Sequence, residues 1–364
     1  MYCLRNAFVI EGPVPPELFF DRGEVVTFFR NLLELEKYKM LIAILGPFKF
    51  GKTSILLKLR SIASSYNKVI PLLLRLNIVS KPFTFIVKKL AEKIEGIDVE
   101  EVLRCEEPYY MFEKINIMLE KEDKWLLLLI DEFQDLPEAI KSEGFFINRQ
   151  DKFIFEFVRG IVEEFRIGLV VSGSVIGPLM DALDVWHGRF IQFKLREFPR
   201  EDSISMLRKL FDLSGMHADD SVLKYIAVSM NDHPFHMQLF GYYLVDQRNI
   251  NEDTLEIARR KVQKILIDYY GRKLLEVNSI DPNATQILAR MLQPISIAKL
   301  SDDEIDLVLK LERLGYVFRD NNEYRIYDKM FGRYITNVLS NRPKEKYIPE
   351  YTSEYIVAKK LAYE

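Results

Sequence analysis

The chemistry of this chain is written most plainly in Gly46-Pro47-Phe48-Lys49-Phe50-Gly51-Lys52-Thr53. Two glycines separated by four residues, then lysine and a hydroxyl residue, match the phosphate-loop pattern G-x-x-x-x-G-K-[ST] in full. Glycine lets the backbone wrap closely, so that successive N–H groups turn inward on an anion. A helix beginning at Lys52 adds the partial positive charge of its N-terminus. In that arrangement residues 46–51 and Ser54 cradle phosphates, Lys52 reaches the β- and γ-phosphates, and the Thr53 hydroxyl ligates Mg²⁺. A structural glycine turn is the competing reading. The apolar strand pattern before the loop and the helical pattern after it weigh against that.

A second site lies downstream. Trp125-Leu-Leu-Leu-Leu-Ile130 is an apolar run that ends in Asp131-Glu132. At the end of a buried strand, Asp131 supplies the anion a magnesium shell needs, and Glu132 can orient and deprotonate an attacking water. Many strands end in solvated carboxylates, but few follow a phosphate loop. A glutamate beside the magnesium aspartate favours hydrolysis over phosphoryl transfer to a second substrate. Asp131-Glu-Phe-Gln134 also has the form of a helicase box, but no second motor domain follows. Ser172-Gly-Ser174 closes a later strand. It reads either as an ordinary strand-to-helix turn or as hydroxyls that touch the γ-phosphate or the attacking water. Arg189, after Gly188, either neutralises charge on a neighbouring subunit's nucleotide or pairs with a surface carboxylate. His233 and His236 suggest a metal, but no third ligand accompanies them in the sequence.

These residues need a scaffold. Met40–Leu45, Val69–Leu76, Trp125–Ile130, Leu169–Val171 and Phe190–Leu195 read as strands, and the unbroken apolar runs suit a parallel sheet covered on both faces. Helical patterns fall at Gly23–Tyr38, Lys52–Ser64, Phe83–Ile94, Tyr109–Glu122 and Phe153–Phe165, with a polar, mobile loop expected over Lys141–Lys152. The alternation predicts an α/β domain over residues 1–196. Residues 197–275 read as almost wholly helical. Residues 276–340 read as helix, turn, helix (Asp302–Leu314) and a hairpin turning at Asp320-Asn-Asn322, the pattern of a winged helix. A charged tail, 341–364, allows one further helix.

Composition closes off other classes. With 364 residues, 48% of them hydrophobic, and only 16 Gly and 15 Pro, the chain is neither collagen-like nor disordered. The net charge of −3 gives no overall basic field for nucleic acid. In Asp302–Leu314 itself, Asp302, Asp303, Glu304, Asp306 and Glu312 outweigh Lys310 and Arg313. That sign disfavours a groove-reading helix. Cys3 and Cys105 lack zinc-type companions. No apolar run approaches the about 20 residues of a membrane span, and Glu11 and nearby prolines interrupt any leader pattern, so a cytoplasmic protein is expected.

Taken together, Phe20-Asp21-Arg22, the phosphate loop, Leu129-Ile-Asp131-Glu132, Ser172-Gly-Ser174, Gly188-Arg189 and His233-Pro234-Phe235 resemble the archaeal ATPase family of P-loop proteins. That family is related to the STAND signal-transduction ATPases and to AAA+ proteins. The resemblance covers roughly residues 18–335. It implies an ASCE-type sheet with the Asp-Glu strand inserted away from the phosphate-loop strand, a helical lid and a C-terminal winged helix. It further implies that Phe20, Asp21 and Arg22 lie along the adenine of ATP or ADP, and that Pro234 closes over the base. The chain departs from the pattern at Phe48-Lys49-Phe50, where relatives carry arginine and smaller residues, and at Asp232, a position that is often glycine. The activity implied is Mg²⁺-dependent ATP hydrolysis working as a switch on an unidentified protein partner. A DNA-binding loader and a non-hydrolysing, ADP-bound scaffold are the alternatives.

Overall fold

The computed structural model describes residues 5–20, 22–105, 107–145, 150–173 and 176–340. The tail expected to hold a further helix lies outside the described residues, as do Cys3 and positions 146–149 of the polar loop. Two compact units are present. One comprises Pro15–Gly46 and Lys52–Leu195; the other comprises Met1–Val14, Pro47–Gly51 and Arg196–Glu364.

The first unit alternates helix and strand: α1 (Gly23–Glu34), β1 (Leu41–Leu45), α2 (Lys52–Ala63), β2 (Val69–Arg75), α3 (Pro82–Ala91), α4 (Val99–Leu103), α5 (Pro108–Lys121) and β3 (Trp125–Asp131). A 3-10 turn (Phe133–Asp135) follows, then α6 (Leu136–Lys141), α7 (Asp151–Glu164), β4 (Ile167–Gly173), α8 (Ile176–Asp184) and β5 (Ile191–Lys194). The five strands form one parallel sheet in the order β2-β3-β4-β1-β5. β4 therefore stands between the phosphate-loop strand β1 and the acidic strand β3. This is the insertion the family resemblance implies.

Consecutive positions are buried along β1, β3 and β4, which a strand shows only when both its faces are covered. The unbroken leucine run of β3 and Leu169-Val-Val171 supply that double face, and Leu126, Leu128, Ile130 and Val171 join one apolar cluster with Ile86, Phe112 and Ile154. Register does the positioning. Leu45 pairs with Gly173, and Ile130 with Val171, so the ends of β1, β3 and β4 come level at the carboxyl edge, where open parallel sheets take their ligands.

The second unit holds α9 (Arg200–Leu213), α10 (Asp220–Ser229), α11 (Pro234–Val245), α12 (Glu252–Ile280) and α13 (Ala284–Arg290). It continues with β6 (Ile295–Ser296), a 3-10 turn (Ile297–Lys299), α14 (Asp302–Arg313), β7 (Val317–Asp320), β8 (Glu323–Ile326) and α15 (Lys329–Leu339). The short strands pair antiparallel in the order β6-β8-β7. α12 starts at a reciprocal Asn251–Thr254 capping box and stops at Asp281, whose backbone the following Pro282 holds extended. The extreme N-terminal segment also packs within this unit. Ala7 N–H donates to Ser214 Oγ and Val9 N–H to Gln238 Oε1, both at 2.9 Å, and buried Phe8 meets Phe211 edge-on at 4.9 Å.

Candidate nucleotide-binding site

β1 is followed by the phosphate loop, and α2 begins at Lys52, so the strand, loop and helix succeed one another as the motif requires. Gly51 has φ +92°, a conformation L side chains rarely adopt. Lys52 is buried, and burial pushes its ammonium down to about 8 against the opposing pull of Glu132 and Asp131. At neutral pH it is still a cation, and it is poorly hydrated, as a phosphate-seeking group should be.

Asp131 organises the carboxyl edge. Thr53 Oγ1 donates to its Oδ2 at 2.7 Å, and the fully buried Ser172 hydroxyl donates to its Oδ1 at 2.5 Å. Thr53 and Asp131 thus present two hard oxygens side by side. Magnesium holds its oxygens at about 2.0–2.1 Å in an octahedron, which sets neighbouring ligands roughly 2.9 Å apart. The pair fits that demand. Glu132 follows in the left-handed region, at φ 58° and ψ 55°, which turns its side chain away from the strand's alternation. Gln134 Nε2 donates to Glu132 Oε2 at 2.9 Å.

Residues Pro47–Gly51 group with the second unit, and their contacts there are specific. Buried Phe50 meets the His233 ring at 4.5 Å, and Lys49, at φ 71°, places Nζ 4.4 Å over the ring of Phe235. Partial burial lowers the Lys49 ammonium below its ordinary range. Phe48 is exposed. Pro234 occupies the first turn of α11. Asp232 has φ 55° and accepts a bidentate pair from Arg200 at 2.8 Å.

The histidine pair has a companion the sequence reading missed. Asp328, from the start of α15, lies with His233 and His236 so that their ligand-type atoms all fall within 4.8 Å. Its signal was there, because an aspartate followed by Met330, Phe331, Tyr334 and Ile335 is a helix start. The two imidazoles stack at 3.7 Å with planes 15° apart, so their in-plane lone pairs run side by side and do not converge on one ion. Tyr270 Oη bridges instead, 3.0 Å from Asp328 Oδ2 and 3.2 Å from His236 Nε2. Burial pushes His236 down to about 4, leaving a neutral ring.

The remaining candidates fall elsewhere. Arg189 is exposed and pairs with Glu163 on α7. Phe20 is half-buried, and Arg22 precedes α1 with its carbonyl accepting from Val26 N–H at 3.2 Å. Asp21 and Ser174 lie outside the described residues. Ser54 is buried in the first turn of α2. Gln134 was noticed only as part of a box. Its partner sits two residues away across a turn, a relation that spacing alone does not reveal.

No protein-family model matches the chain, and no curated protein does. Solved structures do. The chain is similar to the Walker-type ATPase PABY2304 of Pyrococcus abyssi, with 16% identity over 91% of this chain and 99% of that one and a TM-score of 0.66. It is also similar to the ORC2 protein of Aeropyrum pernix in its ADPNP–ADP complexes, with 13% identity over 98% and 97% of the two chains and a TM-score of 0.59. At such identities the likeness speaks for the fold alone.

Proposed function

We propose that this chain binds ATP and hydrolyses it to ADP and phosphate, as a switch that alters its contact with a protein partner. The observation that carries the reading is the constellation at the carboxyl edge. Lys52, Thr53, Asp131, Glu132 and Ser172 come from three adjacent strand ends and converge with the residue types hydrolysis requires. The loop amides and Lys52 hold the phosphates. Thr53 and Asp131 hold Mg²⁺, which when bound neutralises charge on the phosphate oxygens. Ser172 fixes the Asp131 carboxylate, and Glu132 takes a proton from water. The likeness to a Walker-type ATPase supports the reaction class. The nucleotide complexes named for ORC2 support ATP and ADP as ligands.

In this reading residues 197–275 serve as the lid and 276–340 as a winged helix that contacts protein. A DNA loader is disfavoured by the acidic α14, whose Ser301 cap and first-turn Asp302, Asp303 and Glu304 would face phosphates with the wrong sign. The test is titration of the whole chain with ATP and ADP plus Mg²⁺ while phosphate release is followed. Turnover that disappears in Lys52→Ala and Glu132→Gln, with nucleotide binding lost only in the first, is the expected result. Tight ADP binding without turnover, even with candidate partners present, would replace the switch by a nucleotide-held scaffold.

A further inference from the structure

We propose that Gln134 is the positioning residue for Glu132, its side-chain amide holding the carboxylate in the pose from which water is deprotonated. The inference rests on the hydrolytic reading and adds a residue to it.

The orientation of Gln134 carries the argument. Its Nε2 donates to Glu132 Oε2 at 2.9 Å, and since a carboxylate can only accept, the amide nitrogen must face Glu132. The amide oxygen then faces the other way. It is buried there without a hydrogen-bond partner among the described residues. The amide nitrogen thus faces carboxylates, Glu132 at 2.9 Å and the neighbouring Asp135, which it also hydrogen-bonds.

Two features keep it in place. Gln134 sits in the 3-10 turn that closes on Glu132, whose carbonyl accepts from Asp135 N–H at 2.9 Å, so both residues belong to one rigid turn. On the far side stands Gly173, at the end of β4. A Cβ built there would lie 2.5 Å from Gln134 Oε1 and 2.7 Å from Leu179 Cδ2, so a side chain at 173 would require both the amide and Leu179 to shift. The same strand end holds Asp131 through Ser172. The end of β4 thus governs both carboxylates, one by a hydroxyl and the other by leaving room.

The experiment uses the full chain with Mg²⁺ and ATP. Gln134→Ala is expected to lower kcat about tenfold while KM and ADP affinity stay within about twofold. Gln134→Glu keeps the size, lacks the donor, and should lose at least as much; it also serves if the alanine variant fails to fold. Gly173→Ala should reproduce the loss and add nothing further in the Gln134→Ala background. Glutamine side-chain NMR provides a reading that needs no turnover. The Gln134 amide pair, identified by its disappearance in Gln134→Ala, should be displaced and slow to exchange, and should move toward ordinary values in Glu132→Ala, with only the Asp135 contact remaining. Unchanged kcat in both Gln134 variants would overturn the proposal, and so would an amide pair indifferent to Glu132. Absence of wild-type phosphate release would overturn the hydrolytic reading alone and leave the NMR comparison to decide whether Gln134 holds Glu132.

Discussion

At Glu197, one carboxyl oxygen is buried without a hydrogen-bond partner among the described residues, and the group responds as desolvation dictates. Burial pushes it up to about 7, Asp328 and Asp232 add to the rise, and Lys329 opposes it. Its folded value stands above the ordinary one, so the folded state binds the proton more tightly than the unfolded state. The stability this lends is complete at low pH and drains away as pH climbs from about 4.5 to about 7. Glu197→Gln keeps the shape and removes the charge. Its melting temperature should change less than the wild type's between pH 5 and 7.5, and should exceed it at the upper end. Matching pH profiles for the two proteins would show that Glu197 ionises without consequence.

Among the elements, α15 shows how a helix can be held by one residue. Asp328 caps it, accepting from Met330 N–H and Phe331 N–H at 3.1 Å, and the same carboxylate takes Tyr270 Oη and lies 3.9 Å from the Lys273 ammonium. Asp328→Ala removes the cap and takes one partner from the buried Tyr270 hydroxyl and from the Lys273 ammonium, so a loss of about 2–4 kcal/mol in urea unfolding is expected. Asp328→Asn should lose less, since one oxygen still caps. Equal midpoints for wild type and Asp328→Ala would mean that the helix is held by its apolar face alone. α15 was also the element the sequence reading overlooked, whereas the strands β1 and β3 were plain. The difference is physical. Met40–Leu45 and Trp125–Ile130 bury both faces and so have no polar member to blur them. α15 shares its capping residue with a network from α11 and α12 that no local window contains. The site divides the same way. The loop and Asp131-Glu132 are contiguous, and their spacing gives them away. The hydroxyl of Ser172 meets Asp131 only when the sheet order sets β4 beside β3, and the amide of Gln134 meets Glu132 only through the turn that follows β3.

On the scale of the whole molecule, the unit holding α9 to α15 is discontinuous in sequence, because Met1–Val14 belongs to it although residues 15–46 and 52–195 form the other. Phe8 is the anchor, 2% exposed and set against Phe211. Phe8→Ala should cost about 3–5 kcal/mol, as for other buried aromatic truncations. Thermal unfolding together with protease cleavage within residues 200–245 would read the loss, and an unaltered cleavage rate would show the segment to be decoration. The docking has a further consequence, for biogenesis. Ser214 and Gln238, which receive the backbone of residues 7 and 9, leave the ribosome long after their partners do. At about 5–20 residues per second the wait is roughly 10–50 s. Through that interval the first strand-and-helix unit can fold to completion while Phe8 stands uncovered, a greasy handle available to chaperones, until the helices that shelter it have been made.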